Sequence, residues 1–258
     1  MLASQRQDQI HKLIKTQGAV TVASLMEHFG VSVETIRRDL LAMEKAGLLR
    51  RVHGGAVAVT EMMPNYPLER RNQEQSAQKD ALARTAVSLV QDGDYIAIGT
   101  GSTPMHFAQE LKAKRHNLTV VTYSLDVFEI LRDVPDFRLI LVGGQFCPEE
   151  NTFHGQLALD ILDHLHVQKA FVFPSSVSLK HGIGGYHEIL YSQQKKLLQC
   201  CDRAYILADS SKFERAALFK VAPMCPEYIY VTDPELPEAL RQLYAENGIT
   251  VITKEEKS

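Results

Sequence analysis

The sequence predicts an α/β protein in two parts: a small N-terminal head of helices and a hairpin, then a larger domain with a mainly parallel sheet. Three observations carry this. Beyond about residue 75, short apolar strands alternate with helical stretches, as in a parallel sheet covered on both faces. The first 58 residues instead show helical periodicities punctuated by Gly30 and Ser32, followed by two short apolar runs around Gly54-Gly55. Charge divides at the same place: residues 1–60 hold eight Lys/Arg against five Asp/Glu, and the remainder 20 against 26. A basic head on an acidic body suits a nucleic-acid contact at one end.

In the head, Ile10, Leu13 and Ile14 mark one face of a first helix. Thr21 is the expected N-cap of a second, with Val22, Leu25, Met26 and Phe29 inward. Gly30 closes it, and Ser32 caps a third helix that buries Ile36, Leu40 and Met43. At 100° per residue Arg38 lies about 200° from Ile36, with Glu34 beside it and Thr35 and Arg37 flanking that surface. Arg can bond guanine in a bidentate way and a Thr methyl can touch thymine, so such a face suits a major groove. A solvated face held by a Glu34–Arg38 pair is the plainer alternative. "LLRRVHGGAVAV" then reads as two strands joined through Gly54-Gly55, with Arg50, Arg51 and His53 on or beside the turn. Helix, turn, helix and basic hairpin together make a winged helix-turn-helix.

Pro64, Pro67 and polar neighbours mark a linker over 59–75. A long helix is expected from about Leu68, burying Ala77, Leu82, Ala86 and Leu89 and ended by Gly93. Arg70-Arg71 fits a solvated helix start or an interdomain contact. From 76 to 258, strands are expected at Tyr95–Ile98, Thr119–Thr122, Arg138–Val142, Ala170–Phe173, Ala204–Ala208, Tyr228–Val231 and Ile249–Ile252. The first runs into "IGTGSTP", where Gly99 and Gly101 let the backbone approach a ligand closely. Thr100, Ser102 and Thr103 add hydroxyls, and Pro104 opens a helix whose N-terminus favours an anion. Neither the Walker order nor G-x-G-x-x-G is present, so the loop is either a phosphate cradle or a tight turn.

Two resemblances extend this. "VSVETIRRDLLAMEKAGLLRRVHGGA" resembles the N-terminal signature of the DeoR family of bacterial sugar-metabolism repressors. "IGTGSTPMHFAQEL" is similar to the phosphate loop of ribose-5-phosphate isomerases, whose fold the DeoR sensor domain resembles. "VVTYSLDVFEIL", "LILVGG", "FHGQLA" and "ILADSSKF" match the family's sensor, although Tyr123 replaces the more usual Asn. The resemblance implies a repressor of a carbohydrate-utilisation operon that binds double-stranded operator DNA as a homodimer or homotetramer and is released by a phosphorylated sugar. It implies DNA contacts from Ser32, Glu34, Thr35, Arg37, Arg38, Arg51 and His53. Effector contacts fall to Thr100, Gly101, Ser102, Thr103, Ser124, Gly144, Glu188 and Lys212. For Lys212, a salt bridge to Asp209 is the structural alternative.

An isomerase carrying a DNA-binding head is the rival expectation. Its proton transfer needs a carboxylate, whereas Ser175, Ser176 and Ser178 stand in the corresponding stretch "VFPSSVSLKHGIGG". Catalytic residues, metal ligands and cofactors are therefore not expected. Cys147, Cys200, Cys201 and Cys225 lack a C-x-x-C spacing, which disfavours zinc or a disulfide framework and fits a reducing cytoplasm. No apolar run is long enough to span a membrane. G-x-S-x-G is absent, so a hydrolase has no support.

Overall fold

The structure, a computed structural model, describes residues 1–59, 61–62 and 66–254. The chain opens with helix α1 (Ala3–Gln17), strand β1 (Ala19–Thr21) and helices α2 (Val22–Phe29) and α3 (Val33–Lys45). Thr21 accepts from the Ser24 amide and Ser32 from the Thr35 amide, so both expected caps form. Ile10, Ile14, Leu25, Ile36, Leu40 and Met43 make the head's core. Within it a buried Arg6–Asp39 ion pair (2.5 Å) ties α1 to α3.

Strands β2 (Arg50–Val52) and β3 (Gly55–Val57) form the wing, and β3 also pairs with β1. The connection is His53-Gly54, with φ +80° at Gly54, and not Gly54-Gly55. Gly55 is the first residue of β3: a Cβ there would stand 2.1 Å from the Val20 carbonyl, so the wing closes on β1 only because the side chain is missing. The Glu34–Arg38 pair is also replaced. Glu34 reaches Arg37 at 3.4 Å, one residue nearer, on an exposed face.

After the two-residue strand β4 (Glu61–Met62), the expected long helix is two: α4 (Leu68–Gln73) and α5 (Ser76–Val87). Pro64 lies outside the described residues, and Pro67 sits at the N-cap of α4. The break occurs because Glu74 is extended and Gln75 turns left-handed, at φ +55°. The ammonium of buried Lys79 then takes the Arg71 and Glu74 carbonyls that a continuous helix would have used. Leu82 and Ala86 are buried as expected, Leu89 is partly buried, and Ala77 is exposed. The helix ends at Val87, so Gly93 belongs to the following turn.

The body is an alternation of β5 (Tyr95–Ile98), α6 (Ser102–Lys114), β6 (Thr119–Thr122), α7 (Leu125–Leu131) and β7 (Arg138–Leu141). A hairpin of β8 (Gln145–Cys147) and β9 (Thr152–His154), helix α8 (Gln156–Asp163) and strand β10 (Val167–Val172) follow. Then come β11 (Ser176–Ser178), β12 (Gly182–Gly185), α9 (Glu188–Leu197), β13 (Cys201–Leu207), β14 (Arg215–Ala216) and β15 (Phe219–Ala222). The chain closes with β16 (Ile229–Val231), α10 (Glu238–Glu246) and β17 (Thr250–Ile252). All seven expected strands join one parallel sheet in the order β17-β16-β13-β10-β5-β6-β7. Crossovers run one way from β5 and the other from β10, so the switch point lies between these two central strands. The crevice beyond their carboxyl ends is where ligands bind in such sheets.

Two apolar layers cover the sheet. One packs Phe107 on Phe171, and Phe171 in turn stacks on Tyr205 at 5.0 Å. The other contains Tyr230, Leu240 and Tyr244 and takes in Ala19 and Val57 of the head. Head and body therefore share a core. A small antiparallel sheet, β11-β12-β15, sits beside the crevice, and β14 pairs with β4 of the linker.

Candidate functional site: a cationic cleft at the switch point

Three loops at the carboxyl ends of β5, β10 and β13 meet the linker around a small cleft of about 90 Å³. The β5 loop enters α6 through Gly101, whose φ of +127° suits glycine and which carries no capping side chain. The amide groups of the first turn are thus left to a ligand. Ser102 and Thr103 line the cleft, and Thr103 Oγ1 is buried with no hydrogen-bond partner among the described residues. An unpartnered buried hydroxyl costs about 1–3 kcal/mol, so a ligand oxygen would be well placed there.

Three cations and two carboxylates surround this turn: Lys212 and Asp209 from the β13 loop, Arg71 and Glu74 from the linker, and Lys79 from α5. Lys212 stands 3.4 Å from Asp209, so the salt bridge and a ligand role are compatible. Burial pushes the Asp209 carboxyl up, but Lys212, Ser211 and Lys79 outweigh this and hold it below the usual carboxylate range. Burial, reinforced by Lys212, brings the Lys79 ammonium down to about 8. Arg71 also reaches the deeper side of the cleft. There a single guanidinium nitrogen, Nη2, donates to both Glu150 carboxylate oxygens at 2.5 and 2.6 Å, and His187 contacts the same carboxylate at 2.9 Å. Thr100 Oγ1 donates to the Glu150 carbonyl, and Ser175, Tyr186 and Gln194 complete this inner end.

Of the effector residues expected from sequence, Gly101, Ser102, Thr103 and Lys212 come together, with Thr100 in the inner end. Ser124, Gly144 and Glu188 do not line the cleft. Ser124 is buried and caps α7 through the Val127 amide. Gly144 lies against β9, where a Cβ would meet the His154 carbonyl at 2.4 Å. Glu188 is exposed at the start of α9; its neighbour His187 is the residue that turns inward. Tyr123 is wholly buried, its hydroxyl 3.3 Å from the position of a Cβ on Gly99, so it supports the loop from beneath. Ser176 and Ser178 are buried in β11, leaving Ser175 alone at the cleft.

Sequence reasoning missed Arg71, Lys79, Glu150 and His187. Only the Arg70-Arg71 pair carried a signal, since Glu150 is 79 residues away from Arg71 and reached through the fold.

At the other end, α3 exposes Ser32, Glu34, Arg37 and Arg38, with Thr35 partly covered. Arg38 makes no ion pair among the described residues, whereas the Ser32 and Thr35 hydroxyls engage each other at 3.0 Å. Arg51 and His53 are exposed on the wing. Arg50 turns into the body and pairs with Glu214 at 2.6 Å.

A helix-turn-helix head on an α/β body with a ligand cleft defines a transcription regulator with a built-in sensor. The chain matches the family model "DeoR-like helix-turn-helix domain" over residues 6–62 and "DeoR C terminal sensor domain" over 74–234. It is 31% identical to "Transcriptional repressor AccR" of Agrobacterium fabrum over 93% of this chain and 95% of that one. It is 34% identical to the "Lactose phosphotransferase system repressor" of Lactococcus lactis over 83% and 85%. Among solved structures it is similar to ribose 5 phosphate isomerase A from Neisseria gonorrhoeae, with a TM-score of 0.40, 19% identity and 52% of each chain covered. The chain belongs to the DeoR family, whose members are transcriptional regulators and not enzymes. No helix among the described residues is long and apolar enough to cross a membrane.

Proposed function

We propose that the protein represses a carbohydrate-utilisation operon in the cytoplasm, binding double-stranded operator DNA through α3 and the wing. A phosphorylated sugar or related metabolite in the cleft releases it. The observation that supports this most is the unpartnered, buried Thr103 hydroxyl at the open N-terminus of α6, ringed by Arg71, Lys79 and Lys212. A dianionic phosphate satisfies the hydroxyl, the amides and the cations together. The inner end, with Glu150, His187 and Gln194, offers acceptors and donors to sugar hydroxyls. Ser32, Thr35, Arg37, Arg38, Arg51 and His53 remain the proposed DNA contacts, with Glu34 steering Arg37. One small basic head neutralises few phosphates, so a homodimer or homotetramer pairs recognition helices across half-sites about 34 Å apart, or a multiple of that.

Thermal unfolding against a panel of sugar phosphates tests the cleft. A ligand at a hundred times its Kd adds about 2.7 kcal/mol. Ser102→Asp, which places a carboxylate in the anion's position, should abolish that shift while leaving the unliganded protein folded. An undiminished shift in the variant would place the phosphate elsewhere.

A further inference from the structure

Glu214 is not a cleft residue, yet it stands two positions after Lys212 and holds the head. It is buried in the left-handed conformation, φ +52°, which a side-chain-bearing residue adopts only where its surroundings impose it. Its carboxylate accepts from Arg50 of β2 at 2.6 Å, from the Tyr244 hydroxyl of α10 at 2.8 Å and from the Leu179 amide at 3.0 Å. The segment 209–216 thus touches both functional ends in eight residues. Asp209, Ser211 and Lys212 form one wall of the cleft. Phe213 packs edge-on against Tyr244, Glu214 grips the wing, and Arg215–Ala216 pairs with the linker strand β4.

The wing is parked on the body at two further points. Asn247 donates to the His53 carbonyl at 3.2 Å, and the wing turn at Gly54 lies directly against the Glu246 carboxylate.

We propose that residues 209–216 are the relay of the sensor: anion capture by Lys212 displaces Glu214 from Arg50 and frees the wing from the body. The route is short and mechanical. Lys212 leans on Asp209 across a single turn of 3-10 helix, residues 210–212. A phosphate on the α6 N-terminus competes for that ammonium, the turn shifts, and the residue placed next along the chain after Phe213 is Glu214. Once Glu214 is drawn away, Arg50 is left as a buried charge without its partner, which favours its leaving for solvent together with the wing. Glu214 and Arg50 are positioning residues in this scheme, since neither touches ligand or DNA. The relay rests on the cleft being the phosphate site, and the experiment separates the two claims.

Hydrogen–deuterium exchange of the full chain, with and without saturating inorganic phosphate, reads both ends at once. In the wild type, phosphate should slow exchange at residues 99–104 and speed it across wing residues 50–57 by about fivefold or more. In Glu214→Gln the protection at 99–104 should persist while the wing is already fast and no longer responds. Arg50→Met removes the same pair from the wing side and should behave alike, which carries the test if burial of an unpaired Arg50 unfolds the first variant. A wing that still responds to phosphate as in the wild type, in either folded variant, overturns the relay and leaves the cleft standing. Absence of any effect at 99–104 in the wild type overturns the cleft and the relay together.

Discussion

Raising the pH from 7 to 9 should weaken anion binding in the cleft about tenfold, and Lys79 is the reason. Its ammonium is buried beside Lys212 and titrates at about 8. An anion in the cleft favours the charged form, so affinity is complete below that value and lost as pH rises through it. The charged fraction falls from about nine-tenths at pH 7 to about one-tenth at pH 9, and apparent affinity follows the competent fraction. Sulfate is the suitable titrant, because its own charge does not change in this window. Titration calorimetry at pH 8 in buffers of different ionisation enthalpy should report about half a proton taken up per anion. Lys79→Met should bind more weakly at pH 7 and show no such dependence. Equal wild-type affinity at pH 7 and 9, or a full pH dependence in Lys79→Met, would refute the assignment of Lys79 to the anion.

Two further outcomes follow from the head. Arg38→Ala should weaken operator binding in a mobility-shift titration and cost about 1–3 kcal/mol of discrimination at one base pair if Arg38 reads a base edge. Unchanged affinity would take α3 out of the groove in the register proposed. Gly55→Ala drives a methyl into the Val20 carbonyl, a clash with backbone that no side-chain rotation relieves. It should destabilise the protein by about 3 kcal/mol in urea unfolding, whereas Gly30→Ala, which meets nothing within 4 Å but must hold a left-handed φ of +64°, costs about 1–2 kcal/mol.

The parallel sheet was legible because its strands are short apolar runs whose burial is nearly continuous: Ile96, Ala97 and Ile98 are all fully covered. The caps at Thr21 and Ser32 were equally legible, being local chemistry between residues three apart. The cleft was legible only along the chain direction. Ser102 and Thr103 follow their strand in sequence, but the partner that fixes Arg71 is Glu150, and the group that seats Lys79 is a pair of backbone carbonyls. Neither shows in a residue pattern. The helix break at Gln75 was hidden for the same reason, since nothing in "NQEQSAQKD" opposes a continuous helix until Lys79 is seen to bind those carbonyls. Glu188 illustrates the finer limit: it is exposed, and the side chain that turns inward is one residue earlier, at His187.

The packing of Ala19 and Val57 into the same cluster as Leu240 and Tyr244 means that the docked head has no swivel. In any assembly of two such chains, the body then acts as a ruler that fixes the distance and angle between the two recognition helices. Operators whose half-sites are moved apart by about five base pairs would present the second site on the far side of the duplex, beyond reach of a rigid pair. In the proposed relay, loss of the Glu214–Arg50 pair loosens that ruler at the wing while Ala19 and Val57 still hold the head to the body. Release from DNA, in that scheme, comes from a loosened spacing between two copies, with α3 itself unchanged.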